Sequence, residues 1–116
     1  MLLAASMICA APSAFANVIT DWDEKGIAAV TAMSSLGGTS PYMAQRTMTM
    51  LHAAMFDAVN SIEPRYRPYL VQLPADPATL KEAAAAAAAA AVLGTIDAKT
   101  AGEMKAALAT YLAPLP

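Results

Sequence analysis

The chain has 116 residues, of which 58% are hydrophobic and only 14% are charged. This composition excludes a disordered polar segment and limits the chain to one small domain. Seven basic and nine acidic residues give a net charge of -2. Because a protein that binds a phosphate backbone needs a basic surface, we expect no nucleic-acid partner.

The first sixteen residues (1–16) predict a signal peptide. They are apolar up to a proline at position 12 and end in Ala14-Phe15-Ala16, the small-x-small pattern of a secretory cleavage site. The stretch lacks the basic residues that open such a peptide, and it is shorter than the roughly 20 residues that cross a bilayer. We therefore expect an exported protein, periplasmic or secreted, with a mature domain of residues 17–116 and no stable membrane span. The alternative is an N-terminal helix that is buried or membrane-anchored.

The rest of the chain is predicted to be all-α, a helical bundle, since no stretch alternates as a strand does. The first helix is expected from Trp22 to about Met33, with Asp21 as its N-cap. Its apolar stripe comprises Trp22, Ile27, Val30 and Met33. Asp23 and Glu24 then lie in the first turn, where the helix dipole favours acidic residues, and we prefer this role to acid/base or metal chemistry.

The three later helices are each marked by a cap. Ser40, followed by proline, opens the second helix, which ends before Pro64. Asp76, also followed by proline, is expected to open the third, whose nine consecutive alanines suit close helix packing and which stops at Gly94. Asp97 caps the fourth, and the short connection implies that the third and fourth helices are antiparallel. The buried stripe of the fourth helix is Ala101, Met104, Leu108 and Tyr111.

The second helix carries the only histidine of the chain. Its apolar arc at 100° per residue comprises Ala44, Met48, Leu51, Met55, Ala58, Val59 and Ile62. His52 lies on the flank of this arc, and Arg46 and Asp57 lie on the opposite side, about 16 Å apart along the axis. A lone histidine in this position is usually a hydrogen-bonded border residue, and methionines at helical spacing favour core packing over haem or copper ligation. We expect no metal site.

The loop sequence RYRPY, residues 65–69, alternates cations with aromatic rings. In a basic protein it would suit a phosphate or single-stranded nucleic acid. Because this chain is net acidic, we expect instead that cation-π and backbone contacts tie the loop to the bundle.

A longer stretch carries a family resemblance. The run SPYMAQRTMTMLHAAMFDAVNSIEPRYRPYL, with NVITDWDEKGIAAV before it and the alanine helix after it, resembles the N-terminal part of bacterial vanadium-dependent haloperoxidases, which belong to the type 2 phosphatidic acid phosphatase superfamily. Its most specific part is residues 50–60. The resemblance implies the N-terminal part of a larger two-bundle fold, in a parent that oxidises halide with peroxide or hydrolyses phosphate esters. It also implies a vanadate cofactor in the full-length parent, held by Lys-x6-Arg-Pro, Pro-Ser-Gly-His and Ser-Arg-x5-His motifs in the C-terminal part.

This chain departs from those motifs. No lysine is followed by arginine at the seventh position and there is no Ser-Gly-His, but Arg46 and His52 have the Arg-x5-His spacing, with Gln45 in place of serine. We expect no catalytic residue and no cofactor in this chain, with Arg46 and His52 as the candidates that remain. The expected partner is the C-terminal catalytic part of the parent, and the sequence leaves a homodimer open. The alternative is a small exported non-catalytic protein that binds a partner helix through its alanine-rich face.

Overall fold

The computed structural model describes residues 17–35, 37 and 40–116, so the predicted signal peptide lies outside the described residues. The described residues contain no strand and form four helices, α1 (Val18–Ser35), α2 (Pro41–Ile62), α3 (Lys81–Leu93) and α4 (Ala98–Leu112). The predicted all-α class is confirmed. Across this part of the chain, no helix combines the length and the apolar character that a membrane span requires.

The first helix starts earlier than its sequence predicts. It begins at Val18, because Oδ1 of Asn17 accepts hydrogen bonds from the backbone N–H groups of Ile19 at 2.9 Å and Thr20 at 3.2 Å. These bonds satisfy N–H groups that lack a partner in the first turn of a helix. The prediction of Asp21 as the N-cap is therefore wrong, and Asp21 lies in the first turn instead.

The second and fourth helices begin at their predicted caps. Oγ of Ser40 accepts a hydrogen bond from the backbone N–H of Met43 at 3.4 Å, and Oδ1 of Asp97 accepts one from Thr100 at 2.7 Å. The second helix ends at Ile62, as the proline two residues later predicts. Side-chain caps thus account for two of these helix ends and a proline for the third.

The third helix begins at Lys81 rather than near Asp76, so that prediction is wrong. Asp76 forms a tight turn, in which its side chain accepts a hydrogen bond from the N–H of Ala78 at 2.8 Å and its carbonyl accepts one from Thr79 at 2.9 Å. An aspartate that satisfies its own turn does not have to start a helix. Leu80 occupies the N-cap position without a side-chain hydrogen bond.

The alanine-rich α3 is the central helix of the bundle. It packs against α1, α2 and α4, and its interface with α2 is the most extensive one between helices. Its buried face consists of Ala85, Ala86, Ala89, Ala90 and Leu93. Alanine leaves little side chain between two backbones, so this composition lets neighbouring helices approach closely. The helix ends before Gly94, as predicted.

The core brings together side chains from all four helices. Its largest members are Trp22, Leu51, Met55, Leu93 and Met104. The Trp22 ring meets Tyr111 of α4 edge-on, with 6.3 Å between ring centroids, while its buried indole nitrogen has no hydrogen-bond partner among the described residues. The predicted stripes are thus confirmed at Trp22, Leu51, Met55 and Met104. In contrast, Ile27, predicted on the stripe of α1, is 51% exposed.

A glycine permits the close crossing of α1 and α2. A Cβ atom at Gly26 would lie 2.7 Å from Cδ2 of Leu51 and 3.0 Å from Sδ of Met48. Leu51 is completely buried, so it has little room to move away. The absence of a side chain at this position therefore sets the distance between the two helices.

Candidate functional site

Three buried polar side chains near the end of α2 hold the chain segment that follows it. We call Asp57, Asn60 and Ser61 the clasp; their exposed fractions are 4%, 5% and 8%. The Asp57 carboxylate accepts hydrogen bonds from three consecutive backbone N–H groups, those of Tyr69 at 2.6 Å, Leu70 at 2.8 Å and Val71 at 2.9 Å. This carboxylate thus replaces the backbone partners that an extended segment would otherwise find in a sheet.

The other two clasp residues hold the segment on either side. Oδ1 of Asn60 accepts hydrogen bonds from the N–H groups of Arg65 and Tyr66, and its Nδ2 donates to the Tyr66 carbonyl at 2.8 Å. Ser61 Oγ accepts a hydrogen bond from the N–H of Leu73 at 3.0 Å. The expected backbone contacts of the RYRPY loop are therefore present. The expected cation-π contacts of the loop are not observed, since the cation-π contact among the described residues is that of Lys25 over Trp22.

The environment of Asp57 differs from the predicted one. Helical periodicity placed it with Arg46 on the side away from the core, yet it is buried because residues 69–71 cover it. Burial raises the pKa of this carboxyl group, but the three backbone donors outweigh that effect, and the pKa lies below its ordinary value of 3.8. Asp57 is therefore a charged structural anchor.

His52 lies at the border of the core and pairs with α1. Its Nε2 is 2.9 Å from Oδ1 of Asp23, and the two side chains are 45% and 36% exposed. The predicted hydrogen-bonded border position is thus observed, and the partner comes from another helix. The prediction that Asp23 and Glu24 lie in the first turn of this helix is wrong, because α1 begins at Val18 and both residues lie in its second turn.

The two candidate residues of the Arg-x5-His spacing are not brought together. Arg46 and His52 are six residues apart on α2, and helix geometry separates them by about 9 Å along the axis and about 120° around it. Arg46 is exposed, and no described residue forms an ion pair with it. The spacing therefore assembles no oxyanion site within α2.

A charged cluster that the sequence did not predict joins the end of α2 to the start of α3. Glu63 accepts hydrogen bonds from Lys81 on one carboxylate oxygen and from Arg65 on the other. Both hydrogen bonds lower the pKa of Glu63, and the one from Lys81 has the larger effect. The arginine lies only two residues away, so this half could have been predicted, whereas Lys81 is brought near by the fold.

In the described part of the chain, no three His, Cys, Asp or Glu side chains come close enough together to hold a metal ion. Comparisons of the chain with protein-family models, with curated proteins and with solved structures find no match. The resemblance to the haloperoxidases therefore rests on the sequence of residues 50–60 and on the sequences that flank it.

Proposed function

We propose that this chain is the N-terminal helical part of a protein resembling the vanadium-dependent haloperoxidases, and that it serves as a scaffold in that protein. The parent would oxidise halide with peroxide or hydrolyse phosphate esters. One observation carries the proposal. The three polar residues of the most family-like stretch, His52, Asp57 and Asn60, each bind another segment of this chain.

The charges of the described residues support a scaffold rather than an oxyanion site. A site that removes vanadate or phosphate from water must surround its oxygens with several cations and donors. Arg46 is exposed and forms no ion pair with a described residue, while His52 pairs with the carboxylate of Asp23. The parent's vanadate would therefore be held by the C-terminal motifs that the resemblance implies, and not by this chain.

An apolar groove on the surface supports the proposal that the scaffold contacts a partner. It has a volume of about 520 Å³ and lies between α2, α3 and the segment held by the clasp. At its edge Leu70, Val71 and Leu73 are 80%, 48% and 59% exposed. Large apolar side chains clustered on a surface are typical of a contact with another protein unit. We assign this groove to the C-terminal catalytic part of the parent.

The alternative proposal is a small exported protein that binds a partner helix, and the structure changes the contact surface that this protein would use. Its predicted contact was the alanine-rich face of α3, but Ala85, Ala86, Ala89 and Ala90 are already buried within the bundle. A partner helix would have to use the outer alanines Ala84, Ala88 and Ala91, which line the groove.

Reading the gene beyond the codon for Pro116 distinguishes the two proposals. The haloperoxidase-like parent requires downstream codons for the Lys-x6-Arg-Pro, Pro-Ser-Gly-His and Ser-Arg-x5-His motifs in one reading frame. A stop codon directly after Pro116 would contradict it and favour the small interaction protein. Export, which we propose for both, is tested by N-terminal sequencing of secreted material, which should begin at Asn17.

A further inference from the structure

A cleft on the opposite side of α2 from the groove combines an apolar wall with a charged rim. It lies between the start of α1, the second half of α2, the RYRPY loop and the start of α3, and its volume is about 500 Å³. Clefts of this size are typical of sites for small molecules. The cleft and the groove have no lining residue in common, although His52 and Asn60 of the cleft also hold α1 and the loop.

The wall of the cleft is formed by large apolar side chains that remain in contact with solvent. Ile19, Phe56 and Tyr66 are 38%, 41% and 69% exposed, although they come from three different segments. The two aromatic rings lie with their centroids 6.2 Å apart and their planes tilted by 41°. An apolar body placed here would remove the exposed parts of all three side chains from water at once.

The rim carries one excess positive charge. Arg65 and Lys81 share the single carboxylate of Glu63, which stays ionised at neutral pH because both hydrogen bonds lower its pKa. The contacts with Glu63 use Nε and Nη2 of Arg65 and one donor of Lys81. A guanidinium group has five N–H donors and an ammonium group has three, so donors remain for a second anion.

We infer that this cleft binds a small amphipathic monoanion, a carboxylate attached to an aromatic body, independently of the proposed scaffold role. The ring of such a ligand packs against Phe56 and Tyr66, and its carboxylate accepts hydrogen bonds from Arg65 and Lys81. A single excess charge matches a monoanion, whereas a multiply charged oxyanion needs more cations than the rim supplies. A neutral ligand of the same shape gains only the apolar contact.

The test uses the 116-residue chain, labelled with 15N, and 4-phenylbutyrate as the probe. We expect saturable chemical-shift changes at Ile19, Phe56 and Tyr66, and an affinity at least about ten-fold higher than that of the neutral 4-phenylbutanamide. No saturation below about 10 mM, or equal affinities for the acid and the amide, would overturn the proposal.

Charge variants test the rim in both directions. Lys81→Met and Arg65→Gln each remove the excess charge and should weaken binding by about five-fold or more, while Arg67→Gln, in the same loop but outside the cleft lining, should leave it unchanged. Glu63→Gln releases both cations and should tighten binding by about three-fold or more. Weaker binding by Glu63→Gln with an intact helical spectrum, or an equal loss in Arg67→Gln, would contradict the assignment.

Discussion

The role of a single residue in this protein is often decided by a segment far from it in sequence. Asp57 receives its three donors from residues 69–71, and His52 receives its partner from α1. The helical periodicity of α2 assigns each residue to a face but contains no information about what covers that face. The clasp and the charged cluster at Glu63 therefore could not be predicted from α2 alone.

Asp57 should make stability depend on pH in acid. Its folded-state pKa is below the ordinary 3.8, so the stability it contributes is present above that value and is lost as pH falls through the folded-state pKa. Asp57→Asn should lower the melting temperature at pH 7 and flatten its decline below about pH 4, because the amide presents one acceptor oxygen where the carboxylate presents two. Thermal melts from pH 7 to pH 2 measure both effects. The exposed Asp76→Asn is the control, and an equal change there would contradict the role of the clasp.

Two glycines with opposite surroundings test the crossing of α1 and α2. Gly26→Ala should destabilise the protein by about 1–3 kcal/mol, because the new methyl group overlaps buried Leu51. Gly102 lies in α4 with nothing within 4 Å of an added Cβ, so Gly102→Ala should stabilise by about 0.5–1 kcal/mol through helix propensity. Urea unfolding of both variants gives the two free energies. Stabilisation by both would mean that the helices do not cross closely at Gly26.

At the scale of the helices, some helix ends are determined by local sequence signals and others by tertiary contacts. The caps at Ser40 and Asp97 were predictable because each side chain bonds to its own first turn. Asp21 was the predicted cap of α1, but Asn17, four residues earlier, bonds to the first turn instead, and this earlier cap adds about one turn to the helix. At Asp76 the same residue type closes a turn, so the signal is local but has two outcomes.

The pair that links α1 to α2 should contribute little to stability. His52 and Asp23 are both partly exposed, and exposed pairs typically couple by less than about 1 kcal/mol. A double-mutant cycle with His52→Ala and Asp23→Ala at pH 7 measures the coupling free energy. A coupling of several kcal/mol would show a desolvated pair and would reopen a catalytic role for His52.

Packing of α3 against its neighbours should depend on the small size of its buried face. Ala86 is completely buried, so Ala86→Leu should destabilise the bundle by about 1–3 kcal/mol through overpacking. Ala87 is exposed on the same helix, and Ala87→Leu should change stability by less than about 0.5 kcal/mol. Thermal melts of the two variants provide the comparison. Equal effects would mean that α3 is not the tightly packed centre of the bundle.

At the scale of the whole molecule, the four helices present two distinct surfaces. The groove carries exposed apolar side chains beside the clasp, and the cleft carries a single excess charge. Neither surface surrounds an oxyanion with cations, although α2 has the Arg-x5-His spacing. The polar residues of the 50–60 stretch instead hold α1, α2 and the loop together, and we propose that they serve the scaffold rather than oxyanion chemistry.

Titration of the chain with orthovanadate, followed by 51V NMR, tests this central claim most directly. A bromination assay with bromide, peroxide and a phenolic dye accompanies it. Because Arg46 and His52 lie about 120° apart around α2 and His52 already pairs with Asp23, we expect no saturable binding below about 1 mM and no turnover above buffer. Micromolar binding or measurable turnover that disappears in His52→Ala and Arg46→Ala would contradict the scaffold and would make these two residues the oxyanion site.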